Sequence, residues 1–267
     1  MTRYLVVNAD DYGLCGEISS GIIDAHTNGI VTATSVVTVG DYFENGLAAL
    51  IASNLSTGIH LTIVGGETPL TGPIKGLTDG NGRFYTTYAQ VVPRILSRRY
   101  EARGLERELF EQVSRLKDTG LEISHLDSHQ HLHLLPGIRD MAIRIAKKFG
   151  IKWVRVPRSH RCSPGALGMN FLSRGLKPRL RHHHLRYTDN SLGFDAGGNM
   201  DESTLATLIT HCRQGTNELI FHPGHDASHL YDWGYNWEQE LRAAKSSRIR
   251  RLIGEQDIIL TDYSKIE

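Results

Sequence analysis

Disulfides, membrane spans and a dominant charge are all missing from this chain. Its three cysteines, Cys15, Cys162 and Cys212, are odd in number, far apart and form no CxxC pair, which excludes a disulfide framework and a zinc knuckle. No apolar run approaches the roughly 20 residues that span a bilayer. Strand-like sequence starts at Tyr4 with no basic n-region and apolar h-region before it, so the expectation is a cytoplasmic protein that is neither exported nor inserted in a membrane. Lys and Arg number 30 against 29 Asp and Glu, leaving no global field to hold nucleic acid or an anionic membrane. The basic stretches at Arg98-Arg99, Lys177 to Arg186 and Arg248 to Arg251 lack interleaved aromatics and read as solvated surface. Internal repeats and low-complexity tracts are absent.

What is present is an alternation of short β-branched runs with longer segments of helical period, the pattern of parallel strands covered by helices on both faces. Strands are expected near Tyr4 to Asn8, Val31 to Val39, Gly58 to Ile63, Ile123 to Asp127, Lys152 to Val156, Glu218 to Phe221 and Ile258 to Leu260. Helices are expected at about Glu17 to Asn28, Leu105 to Asp118, Gly137 to Phe149, Glu202 to Arg213 and Trp237 to Ile253. At 267 residues the chain fits one α/β unit, 1–267, with no composition break to divide it. Two stretches read as irregular. One, Val64 to Phe84, holds six glycines and two prolines; the other runs from Pro157 to about Gly198 and contains His182-His183-His184 as exposed loop histidines.

The most informative segment is Ser124-His125-Leu126-Asp127-Ser128-His129-Gln130-His131-Leu132-His133, with four histidines and an aspartate at odd-numbered positions. Side chains of an extended segment alternate between faces. His125, Asp127 and His129 therefore share one face, and His131 and His133 join them for as long as the chain stays extended. Imidazoles beside a carboxylate are preferred ligands of a borderline divalent cation.

Other strand ends are unusually polar. The first expected strand runs into Asn8-Ala9-Asp10-Asp11-Tyr12-Gly13, the third ends around His60, and a late one runs into His222-Pro223-Gly224-His225. One Asp would cap a following helix. Two adjacent carboxylates at a buried strand end repel unless a cation or a proton compensates. One Asp and two His, with room left for water and substrate, make a hydrolytic metal centre, and a second Asp and a histidine beside it could move protons.

The segments NADDYG, GIIDAHTNGIVTATS, GIHLTIVGGETPLTGPIKGLTD and ISHLDSHQHLHLLPGI, with FHPG later, resemble the YdjC-like carbohydrate deacetylases, the group that includes chitooligosaccharide deacetylase. The resemblance implies an α/β, (β/α) barrel-like fold, distorted or with fewer than eight strands, that removes N-acetyl groups from amino sugars with one divalent metal, Mg or Zn. By motif position Asp11, His60 and His129 correspond to the metal ligands, Asp10 to the general base and His222 to a general acid. His125, Asp127 and His131 are expected as supporting or substrate-facing groups, with His125 and Asp127 orienting neighbouring imidazoles. The implied partner is a small N-acetylated sugar, and a homodimer is the default assembly. Tyr12 stands where Phe is commoner, Cys15-Gly16 stands where Ser and Lys are usual, and the stretch 157–198 matches nothing in the family pattern, which bears on substrate choice. Two other classes stay open. A metal-dependent phosphoesterase or amidohydrolase on a related barrel usually has His-x-His at the end of its first strand, where this chain has Asn8 to Asp11. A catalytically silent sugar-binding protein would be expected to have lost the base or a ligand, and all five residues are here.

Overall fold

The computed structural model describes residues 2–266; the first and last residues of the expected 1–267 unit lie outside them. Within these residues eight parallel strands form one sheet: β1 Arg3–Tyr12, β2 Ala33–Val36, β3 Ser56–Leu61, β4 Ile123–Ser128, β5 Trp153–Val154, β6 Asn190–Leu192, β7 Gly215–Phe221 and β8 Ile258–Thr261. The order is β5-β4-β3-β2-β1-β7-β6, with β8 set beside the first half of β1. The sheet curls so far that Arg186, just before β6, exchanges backbone hydrogen bonds with the opposite edge at Lys152 and Val154. This is a distorted (β/α) barrel whose seam lies between its two shortest strands.

Among the described residues nine α-helices wrap it: α1 Gly16–Thr27, α2 Phe43–Ser53, α3 Tyr88–Leu96, α4 Ala102–Lys117, α5 Ile138–Phe149, α6 Pro164–His182, α7 Glu202–Thr210, α8 Trp237–Ala244 and α9 Ser247–Glu255. Their buried stripes recur at helical spacing, as with Leu105, Leu109, Val113 and Leu116 in α4. The expected Trp237 to Ile253 helix is two helices, because the Ser246 hydroxyl accepts from Ile249 N and so caps a new start. The stretch 157–198 is not irregular throughout: α6 occupies 19 residues of it, started by Ser163 accepting from Ala166 N with Pro164 in the first turn, and β6 follows. His182 thus ends a helix instead of sitting in a loop. No helix among the described residues is long and apolar enough to cross a membrane.

The two faces of β1 divide the core. Leu5, Val7 and Ala9 pack outward in the large cluster under the helices, whereas Val6 joins Ala33, Trp153 and Tyr263 in a small cluster that plugs the barrel floor. Above that plug the interior positions turn polar: Asn8 and Asp10 on β1, Ser35 on β2, His60 on β3, His125 and Asp127 on β4, Arg155 after β5, and Glu218 on β7. Gly58, the position two before His60, must be bare, since a Cβ there would lie 2.3 Å from Cε1 of His125.

Candidate metal centre

Adjacent residues of a strand face opposite ways, yet Asp10 and Asp11 converge on one site. Ala9 pairs with Thr34 and Tyr12 with Val36, so β1 spends three residues where β2 spends two. Asp11, at φ 76°, takes up the extra residue in a β-bulge. Tyr12 then points outward again, its hydroxyl donating to the Gly46 carbonyl at 2.7 Å. A second one-residue irregularity in β4 sits beside Ser124 and His125 and sets His60 directly across from Asp127.

Asp11 Oδ1 lies 3.0 Å from His129 Nδ1 and 3.4 Å from His60 Nε2. The ligand atoms of these three buried residues fall within 4.8 Å of one another, close enough to meet one ion. Burial alone would push the Asp11 carboxyl up, but the facing His129, His60 and His222 imidazoles outweigh it and hold it below the usual carboxylate range. On its other side, His60 Nδ1 is 2.6 Å from Asp127 Oδ1, so Asp127 fixes the ring and leaves Nε2 facing Asp11. Despite burial, Asp127, Asp10 and Asp11 push His60 up to about 9. Carboxylate and imidazole donors in this arrangement suit a divalent cation.

Asp10 is held differently. Arg155 donates to both its oxygens, Nη1 to Oδ2 at 2.6 Å and Nη2 to Oδ1 at 2.7 Å, while Asn8 Nδ2 donates to Oδ1 at 2.7 Å. The same guanidinium donates from Nε to Glu218 Oε1 at 2.6 Å, and its Nη1 lies 2.7 Å from Asp127 Oδ2. One buried cation thus serves three buried carboxylates. His222 Nε2 stands 3.9 Å from Asp10 Oδ2, and its Nδ1 is buried without a partner.

Sequence reasoning missed Arg155, Glu218 and Ser35. The signal was there: a charged residue inside an apolar strand run, as in Trp153-Val154-Arg155-Val156 and Glu218-Leu219-Ile220-Phe221, is buried only when paired. Ser35 Oγ donates to Asp127 Oδ2 at 2.8 Å and lies 3.0 Å from His125 Nε2. His125 thus touches no imidazole of the site directly and reaches Asp127, the partner of His60, through Ser35. It sits a layer below, stacked on Tyr263 at 4.1 Å, and burial holds it neutral, down at about 4.

The chain does not stay extended past His129. It enters a 3-10 turn, His129–Leu134, in which Gln130 and His131 adopt φ of 51° and 55°. His133 leaves the site to lock this turn, with Nδ1 2.7 Å from Ser128 Oγ and Nε2 3.0 Å from the Arg155 carbonyl. His131 faces the cleft instead, its ring 5.0 Å from that of Phe194 and its Nδ1 without a partner. The cleft above these groups measures about 420 Å³ and is lined by Asp10, His60, His129, His131, His222, Trp233 and Tyr235, among others. Trp233 lies against His129 at 5.1 Å and Tyr235 against His222 at 5.2 Å.

A family model described as YdjC-like protein matches residues 4–255. A Vibrio cholerae protein named carbohydrate deacetylase is 30% identical over 272 residues, covering 98% of this chain and 96% of its own. A Brevibacillus brevis protein of the same name is 33% identical over 154 residues, and that match spans only 57% of this chain and 59% of the relative. Among solved structures, an Enterococcus faecalis protein described in terms of cellobiose-phosphate cleavage superposes with a TM-score of 0.79 at 23% identity, covering 99% of this chain and 98% of the other, a likeness of fold.

Proposed function

The chain belongs to the YdjC-like proteins, and from that premise we propose that it hydrolyses the acetamido group of an N-acetylated amino sugar or short oligosaccharide at a divalent metal centre. The observation that carries the reading is the convergence of Asp11, His60 and His129 donor atoms beside an independently held Asp10–His222 pair, with Asp10, His60, His129 and His222 lining one cleft. The full-length relatives named carbohydrate deacetylase support it.

Asp11, His60 and His129 would hold the cation, which when bound supplies Lewis acidity toward the amide carbonyl and toward water. Asp10 would take the proton of the attacking water. Its two contacts with Arg155 fix the carboxylate plane, so that the base is aimed before substrate arrives. His222, across from Asp10, would donate to the departing nitrogen, because an amine leaves only once protonated. Its backbone is fixed by N–H donation to Glu240 Oε2 at 2.5 Å, and its ring is steadied by Tyr235. Asp127 keeps His60 in the tautomer that frees Nε2. His131 would meet the sugar or its acetyl group with the imidazole nitrogen that the protein leaves unpaired.

The test is acetate release from N-acetylated mono- and oligosaccharides by the chelated protein, before and after Mg or Zn is returned. Release that depends on added metal bears the reading out. No release from any of them with either metal rejects it.

A further inference from the structure

A second cleft, of about 580 Å³, opens beside the first and shares Thr86 with it. The divider is aromatic: Tyr231 lines the second cleft, Trp233 lines the first, and their rings lie 4.6 Å apart. The second cleft is also lined by Glu17, Asp41, Glu67 and Asp79 with Arg83 as the guanidinium among them, while the imidazole of His229 stands 3.6 Å from Glu17 and that of His129 faces Glu67 from the first cleft. Arg83 is occupied in part, donating from Nε to the Gly66 carbonyl at 2.5 Å.

Glu67 stands apart from the other three acids. It is 8% exposed, and its Oε2 is buried with no hydrogen-bond partner. The loop is shaped around this carboxylate, since a Cβ at Gly65 would lie 2.5 Å from Oε2. A buried carboxylate oxygen without a donor is costly, and it is kept where a ligand brings the donor. In a cleft with four carboxylates and one guanidinium, a cationic donor is favoured over a neutral hydroxyl and an anion is repelled. The Tyr231 face offers the apolar side of a sugar ring somewhere to rest.

We propose that this second cleft is a subsite for a sugar unit carrying a free protonated amine, with Glu67 receiving the ammonium group. Used in catalysis, it rests on the deacetylase reading and refines it: the preferred substrate is an oligosaccharide with one unit already deacetylated beside the acetylated unit being cut.

Binding tests this without turnover. Glucosamine and glucose are compared as ligands of the metal-loaded protein by quenching of its intrinsic fluorescence, at a pH below that of amine deprotonation. Glucosamine is expected to bind about tenfold tighter, the weight of one charge-assisted hydrogen bond. Glu67→Gln should bring the two within about twofold, Glu67→Asp should narrow the gap, and Glu255→Gln, an exposed acid on α9, should leave it unchanged. Equal binding of the two sugars by the wild-type protein, or a gap that survives in both Glu67 variants, overturns the subsite. Acetate release is scored separately with the fully acetylated and the half-acetylated disaccharide. Discrimination at Glu67 without acetate release rejects the function and keeps the subsite; acetate release with no discrimination at Glu67 does the reverse.

Discussion

Arg155 grips Asp10 through two parallel hydrogen bonds of 2.6 and 2.7 Å, and nothing comparable holds Asp11. The two adjacent aspartates are thereby separated in kind. Asp10 is paired with a guanidinium that stays protonated at any working pH, whereas Asp11 faces only imidazoles.

Asp10→Asn should therefore remove a base without removing a ligand. Arg155 keeps Asp127 and Glu218 as counter-charges, so the variant should fold and retain metal, as read by metal analysis after dialysis. Its kcat should fall by about 10² to 10⁴. Asp11→Asn should lose metal and activity together. Metal loss in the Asp10 variant would mean that the two roles are exchanged.

Arg155→Met leaves Asp10, Asp127 and Glu218 buried without their shared cation. Breaking such a network by removing one partner costs about 3–5 kcal/mol, which a denaturant midpoint would register as a large fall. Arg155→Lys keeps a charge and gives up the forked contact, so it should fold with kcat lowered more than KM is raised. An unchanged midpoint in the Met variant would show that the carboxylates find other compensation.

Leaving-group chemistry isolates His222. An amine must be protonated to leave, whereas a phenolate leaves unaided. His222→Ala should lose far more activity on an N-acetyl amino sugar than on an activated acetyl ester of similar size. Parallel loss on both would assign His222 to positioning and move the search for the acid to His131, which faces the same cleft.

Stability of the metal-free protein should peak near neutral pH. His125 and His133 are buried neutral, down at about 4 against an ordinary 6.5, so their contribution is complete above 6.5 and is lost as pH falls through that window, on the order of 3 kcal/mol for each. His60 acts in the opposite direction. Pushed up to about 9, it favours the fold in full below 6.5 and loses that contribution as pH rises toward 9. Melting temperatures of the chelated protein across pH 4 to 10 should fall on both sides, and added metal should remove the alkaline fall, because a cation replaces the proton on His60. A flat alkaline side before metal is added would contradict this account of His60.

The strands and the polar strand ends were legible because periodicity reports which face a residue takes. What escaped was whatever depends on a break in that periodicity. Extending the odd-numbered pattern past His129 gave His131 and His133 a common face that the left-handed Gln130 and His131 do not allow, and neither residue is a glycine that would have announced the turn. Arg155 and Glu218 were passed over because each lies in an otherwise apolar strand run, and their partners are 145 and 63 residues from Arg155 in the chain. Helix α6 went unseen although Ser163-Pro164 marks its start, because glycines and basic residues blur its apolar stripe.

The bulge in β1 sets a price on one codon. Deleting Asp11 restores plain alternation: Asn8 and Asp10 still face inward, Tyr12 still faces α2, and the pairing with β2 runs without a slip. The tie of the extra residue to the fold is its carbonyl, which accepts from Leu14 N at 3.2 Å, so a chain lacking it should still fold and still present the cleft and its aromatic walls. It would have lost the carboxylate shared by His60 and His129. On the proposed reading, a metal-dependent hydrolase and a protein without a metal centre stand a single deletion apart, and that deletion leaves the hydrophobic pattern of the chain intact.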